Sequence, residues 1–251
     1  MTAIILCAGF ATRMYPLTEN FPKPLLEIGS RPVIDHLLEQ ITELKGLDRI
    51  CVVTNNRFFS DFVKWGEGRR GALSEKGISL LIYNDGVNEN SDRLGAVGDL
   101  GYVIDNLPGL KGGLVAAGDN IFGFRLKPYW EKFISGNSNY VIALPVDDRE
   151  RLKRTGVLET DSDGKVIKFY EKPADPPTNL ACPALYFLKP RAFGLVGEYL
   201  SSPDAADEIG YFISFLAERD EVYAIPATGE AMDIGTLESY EKVRETLRGN
   251  G

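Results

Sequence analysis

AIILCAGFATRMYPLTENFPKP, residues 3–24, is the stretch whose reading decides the fold of this chain. Ala3–Ala8 is a short uninterrupted apolar run, as expected of a strand covered on both faces of a parallel sheet. Gly9 lets the backbone turn tightly and approach a ligand, and the small Ala8 and Ala11 add little bulk beside it. Pro16, Pro22 and Pro24 then keep the chain from entering a helix at once. The result is a long loop carrying Thr12, Arg13 and Lys23 beside a buried strand, which favours a functional loop that holds phosphate. Taken singly, Arg13 or Lys23 reads better as a solvated cation. Of the two familiar phosphate loops, G-x-x-x-x-G-K-[ST] does not occur, and no G-x-G-x-x-G lies between a strand and a helix.

Outward from this loop, the pattern alternates strand and helix. Pro32 suits the first turn of a helix, and Val33, Ile34, Leu37, Leu38, Ile41 and Leu44 recur as one apolar stripe. Arg49–Thr54 reads as a strand, Phe58–Trp65 as an amphipathic segment, Ile78–Tyr83 as a strand, Leu94–Leu107 as a helix and Gly113–Ala117 as a strand. Such alternation predicts a parallel sheet with right-handed crossovers, whose ligands bind at the carboxyl ends of the strands. Gly9–Lys23, Asn84–Arg93 and Gly118–Asn120 all fall at such ends. The second half changes to strands: Tyr140–Val146, a hairpin of Gly156–Thr160 and Val166–Tyr170 around Asp163 and Gly164, and Ala181–Leu188. Thr236 is placed to cap a final helix with Leu237, Tyr240, Val243 and Leu247 on one face.

Composition bounds the function. With 251 residues, 44% of them hydrophobic and 25% charged, the chain suits one domain over 1–251, with a nucleotide-binding half over about 1–125 and a substrate half over about 126–251. A net charge of −8 argues against nucleic acid as a partner. An anionic small substrate needs only a few cations focused in a cleft. Cys7, Cys51 and Cys182 are widely spaced and read as reduced core thiols. No run has membrane-spanning length and no leader pattern precedes the first strand, so the expectation is a cytoplasmic protein with no membrane partner. His36 is the one histidine and reads as a helix-surface residue, which excludes histidine triads and multi-histidine metal sites.

Three further motifs carry chemistry. Asp119, in Gly118-Asp119-Asn120, sits at a strand's carboxyl end, where a carboxylate either binds a metal or bonds its own turn. Asp233, between a strand ending near Pro226 and the last helix, can supply a second acid. Glu171 and Lys172 follow the hairpin, and a carboxylate beside an ammonium suits sugar hydroxyls and a phosphate, although such pairs are commonplace on surfaces.

Read together, Gly9-x-Ala11-Thr12-Arg13-x-x-Pro16-x-Thr18, Pro22-Lys23, Gly118-Asp119-Asn120, Gly156-Val157, Glu171-Lys172-Pro173 and Asp233-Ile234-Gly235-Thr236 resemble, in order and spacing, the motifs of the sugar-1-phosphate nucleotidylyltransferases. Ala11 stands where that family carries a second glycine. The resemblance implies a Rossmann-like α/β fold, with a mixed, mainly parallel sheet flanked by helices and a smaller β-rich sugar-binding portion. It implies Mg²⁺-dependent attack of a sugar 1-phosphate on the α-phosphorus of a nucleoside triphosphate. By carry-over, Ala8, Gly9, Ala11, Thr12, Arg13, Lys23, Asp92 and Gly95 would bind the nucleotide. Asn120, Gly156, Glu171 and Lys172 would bind the sugar phosphate, and Asp119 and Asp233 the metal. Arg13, Lys23, Asp119 and Lys172 would be catalytic. Such chemistry needs positioning and charge stabilisation rather than a histidine base.

dTTP or UTP with glucose 1-phosphate is the favoured pairing. CTP or UTP with another phosphate monoester, such as phosphocholine, an inositol phosphate or an aminosugar phosphate, is the alternative, and a non-catalytic nucleotide-sugar sensor is a third. A glycosyltransferase would be expected to carry Asp-x-Asp where this chain has Gly118-Asp119-Asn120. Pro24 replaces a glutamine of the thymidylyltransferases, and the base-contacting segment Asn84–Gly95 lacks their second glutamine, so the base is not legible. Homo-oligomerisation is left open.

Overall fold

The computed structural model describes residues 1–248; residues 249–251 lie outside the described residues. Strand β1 (Thr2–Leu6) takes up most of the opening apolar run and gives way to the loop sooner than the Ala3–Ala8 pattern implies. Two short strands, β2 (Glu27–Ile28) and β3 (Arg31–Pro32), lead into helix α1 (Val33–Ile41). The stripe Val33, Ile34, Leu37, Leu38 and Ile41 is buried, as its helical spacing requires. Next come β4 (Arg49–Thr54), α2 (Phe59–Glu75), β5 (Ser79–Asn84), α3 (Gly95–Asn106), β6 (Gly113–Ala117) and β7 (Asn120–Phe122).

The second half holds α4 (Lys127–Ser135), β8 (Asn139–Pro145), the short α5 (Arg149–Leu152), β9 (Gly156–Thr160) and β10 (Val166–Glu171). It continues with β11 (Leu180–Cys182), β12 (Leu185–Leu188), α6 (Pro190–Leu200), α7 (Ile209–Ala217), β13 (Val222–Pro226), β14 (Ala231–Asp233) and α8 (Leu237–Arg248). The single strand expected over Ala181–Leu188 is split into β11 and β12. Pro183 lies at the break, where a residue without an N–H cannot serve a ladder.

One ten-stranded sheet runs through the molecule in the order β10-β9-β11-β8-β12-β6-β1-β4-β5, with β13 paired to β8. β6, β1, β4 and β5 are mutually parallel, so their carboxyl ends share one rim. β12 enters antiparallel between β6 and β8, and the β-rich half is thereby a continuation of the same sheet.

Alternation along β1 divides the core. Ala3 and Ile5 face the layer that includes α1 and α2, while Ile4 faces the layer that includes α3, α6 and α7. A third, smaller cluster joins Met14, Ile28, Val33, Ile121, Ile234, Tyr240 and Val243, and holds the underside of the opening loop against α8. The cap of α8 is reciprocal: Ser239 N–H donates to Thr236 Oγ1 at 3.1 Å, and Thr236 N–H donates to Ser239 Oγ at 3.0 Å. Leu237 departs from its expected face and is exposed. All three cysteines are free and buried, as expected. Among the described residues no helix is long and apolar enough to cross a membrane.

Candidate active site

The rim above β1 and β6 opens into a cavity of about 200 Å³ lined by Leu6, Cys7, Gly9, Ala11, Arg13, Lys23, Pro24 and Asp119. Gly9, Ala11, Arg13, Lys23 and Asp119 are therefore brought together as their motifs imply. Lys23 and Asp119 form an ion pair with little solvent on either side chain. Burial alone would lower the Lys23 pKa, but Asp119 and Asp233 outweigh it and the ammonium is held above its ordinary value.

Ala11 has φ 49 and ψ 41, a left-handed conformation that explains why a glycine is usual at this place. Thr18, fully buried, donates from Oγ1 to the Ala11 carbonyl at 2.8 Å and fixes that turn. Ala8 contributes through its backbone: its carbonyl accepts from Asn55 Nδ2 at 2.9 Å, and Asn55 Oδ1 accepts from Phe58 N–H. Thr12 is exposed at the start of the short turn Thr12–Met14.

Gly118 must be a glycine because a Cβ there would sit 2.3 Å from Cys7 Sγ. That close approach lets Asp119 stand directly above β1. Asn120 donates from Nδ2 to Asp119 Oδ1 at 3.1 Å. β7 and β14 pair antiparallel with Asn120 opposite Asp233, and Ile234 N–H donates to the Asp119 carbonyl at 3.3 Å. Two acids far apart in sequence thus meet through a three-residue ladder. Burial, and then the charge of Asp119, raise the Asp233 pKa, while Lys23, Arg13 and Lys172 oppose the rise. Lys172 belongs to the same electrostatic neighbourhood as the opening loop. Among the described residues no group of three or more His, Cys, Asp or Glu side chains is arranged to hold a metal. Two carboxylates remain, a donor set that suits Mg²⁺, which takes the rest of its shell from water and phosphates.

Across the cleft, Lys172 directly follows β10 with φ 44, and its Nζ lies 3.4 Å from both Glu171 Oε1 and Glu208 Oε1. Glu171 packs so closely on Gly210 that a Cβ there would lie 1.8 Å from Oε2. Gly156, opposite Glu171 in the ladder, has a packing reason of its own: a Cβ would meet the Phe169 ring at 2.3 Å. Asp92 and Gly95 are not among the residues that line the cavity. Asp92 is exposed and accepts from Ser91 Oγ, and Gly95, at φ +76, lies against Asp207 at the start of α3. Cys7 faces the cavity, but burial and the nearby acids push its thiol far up, so it stays protonated. Glu208 and Asn55 escaped the sequence reading, which carried Thr18 only as a motif position. A polar pair, Thr54-Asn55, at the end of a buried strand was the available signal for Asn55.

The family model described as nucleotidyl transferase matches residues 2–249. The chain is 25% identical over 258 residues to the UTP–glucose-1-phosphate uridylyltransferase AglF of Haloferax volcanii, covering 99% of this chain and 97% of that protein. It is 28% identical over 241 residues to the bifunctional protein GlmU of Methanocaldococcus jannaschii, covering 94% of this chain and 51% of that protein. The chain thus spans about half the length of that relative. A Bacillus anthracis protein assigned as a glucose-1-phosphate thymidylyltransferase, solved with sucrose, superposes with a TM-score of 0.83 at 27% identity, over 99% of this chain and 95% of that one.

Proposed function

The chain belongs to the nucleotidyl transferase family, as a sugar-1-phosphate nucleotidyltransferase, and from that premise we propose that it transfers the nucleotidyl group of UTP or dTTP to glucose 1-phosphate. The observation that carries the reading is the Lys23–Asp119 pair at the mouth of the opening loop, with Asp233 delivered beside it by β7 and β14. A nucleoside triphosphate would lie with its phosphates over Gly9, Ala11 and Arg13 and its α-phosphate towards Lys23. A phosphate oxygen of the sugar phosphate attacks the α-phosphorus in line; the new P–O bond forms as the α–β phosphoanhydride bond breaks, and pyrophosphate leaves. Arg13 and Lys23 stabilise the charge that develops on the α-phosphate and the leaving group. Lys172 binds the incoming phosphate as a point charge, and the half-buried Glu171 accepts from sugar hydroxyls. Asp119 and Asp233 would hold Mg²⁺, which when bound neutralises phosphate charge that two cationic side chains leave uncompensated.

The uridylyl and glucose preference rests on the near-full-length likeness to AglF. A pyrophosphate-release screen of five nucleoside triphosphates against glucose 1-phosphate, glucosamine 1-phosphate and phosphocholine tests it. The strongest signal is expected with UTP or dTTP and glucose 1-phosphate, dependent on Mg²⁺ and abolished in Asp119→Ala and Asp233→Ala. Silence from every pair would overturn the reading, and full activity in either variant would remove the metal assignment.

A further inference from the structure

Asp99 is the one buried carboxylate side chain on α3, only 5% exposed, and its Oδ1 has no hydrogen-bond donor to accept from. A buried carboxylate with one oxygen left without a donor is costly enough to need a reason. Its neighbour is another acid, Asp85, hydrogen-bonded to it from the loop that follows β5. Asp85 organises that loop. Its Oδ1 accepts from Val87 N–H at 2.8 Å, its own N–H donates to the Thr54 carbonyl at 3.0 Å, and Asn56 N–H donates to the Val87 carbonyl at 2.8 Å. Asn55, between Thr54 and Asn56, holds the Ala8 carbonyl in the opening loop. One chain of contacts thereby links α3, the loop after β5, the end of β4 and the opening loop.

We infer that Asp99 is a positioning residue for the nucleotide: by donating a proton to Asp85 it fixes the Asp85–Val87 turn, and through Thr54, Asn56 and Asn55 that turn steadies the Ala8 backbone of the opening loop on which the triphosphate is proposed to lie. The inference rests on the nucleotidyltransferase reading for what the pocket binds, but not for the turn itself. Two carboxyls in contact satisfy each other only when they share one proton; with both ionised they repel, and the turn loses its anchor. Burial, and then the charge of Asp85, push the Asp99 carboxyl up to about 8, so Asp99 is the partner that keeps the proton at neutral pH. β1, β4, α6 and α7 pack on α3, and Tyr83 of β5 meets Tyr102 of α3 edge-on; Cys7 after β1 lies in electrostatic reach of Asp99, and the charge acting on Asp99 is that of Asp85. The sign follows: the anchored turn is present below about pH 8 and is lost as pH rises through that value.

Amide exchange at Asn56 and Val87, corrected for the intrinsic effect of pH, reads the turn without any ligand, and the KM for UTP reads its effect on the pocket. In the wild type, protection is expected to fall, and the KM for UTP to rise, about tenfold between pH 7 and pH 9, since only about a tenth of the molecules then keep the shared proton. Asp99→Asn, which donates to Asp85 at any pH, should flatten both profiles. Asp99→Leu should leave the two amides unprotected at every pH while amides of β1 and β6 stay protected. Identical pH profiles in wild type and Asp99→Asn would overturn the inference, as would a responsive turn with an unresponsive KM. If Asp99→Leu does not fold, the comparison of wild type with Asp99→Asn decides. If no nucleotide is used at all, the functional reading fails, and the amide data still judge the turn.

Discussion

At the scale of single residues, Ala11 records a departure from the family pattern and its structural consequence. Its left-handed backbone is one that a Cβ disfavours by roughly 1–2 kcal/mol. Ala11→Gly would remove that strain and give the unfolded chain extra freedom worth roughly 0.4–1 kcal/mol. The expected result is a net stabilisation of up to about 1 kcal/mol in urea unfolding, and a clear loss would show that the Ala11 methyl packs usefully. The sequence displayed Ala11 as a missing glycine and Thr18 as a motif position, but not that the Thr18 hydroxyl fixes the turn from seven residues away. Lys172 is a similar case. It was legible as a cation beside Glu171, whereas its positive φ and its contact with Glu208 depend on a loop more than thirty residues downstream.

At the scale of elements, α8 matters because it closes over β14 and the underside of the opening loop. Tyr240 and Val243 sit in the cluster with Met14 and Ile28, and Tyr240 Oη donates to the Glu27 carbonyl at 2.7 Å. Removing its cap by Thr236→Ala should cost about 1 kcal/mol of stability. Thr236→Ser should recover most of that loss in thermal unfolding; equal loss in both variants would mean the hydroxyl is not what caps the helix. The strand–helix alternation of the first half was readable because its longer strands are apolar runs and α1 carries an amphipathic stripe, whereas α2 runs ten polar-rich residues past the expected Phe58–Trp65 segment. Gly113–Ala117 and Arg49–Thr54 match their expected bounds. The pairing of β7 with β14 was not readable. Each is three residues long, too short for a periodicity, and their partnership is set by tertiary packing. α7 was hidden for a different reason, since its sequence is apolar enough to mask a helical period.

At the scale of the whole molecule, a continuous sheet ties the two halves of the cleft together, with β12 as the splice between β6 and β8. The opening loop sits on one side of that splice and the Glu171-Lys172 pair on the other, which predicts a division of labour. Lys172→Ala should raise the KM for glucose 1-phosphate by about 10–100-fold, the worth of one charge-assisted hydrogen bond of roughly 1.5–3 kcal/mol, while UTP binding changes little. Steady-state kinetics with each substrate varied in turn checks this; damage confined to UTP would reverse the assignment. The order of synthesis gives the β7–β14 ladder another meaning. A nascent chain that has emerged through β12 already carries the opening loop, Asp119 and Lys172, yet Asp233 is still to come. The second acid arrives only with a strand that must find β7, so Lys23 and Asp119 are without Asp233 beside them until β14 is paired. On the proposed assignment, the pair of acids that would hold the metal is thereby completed only with the fold itself.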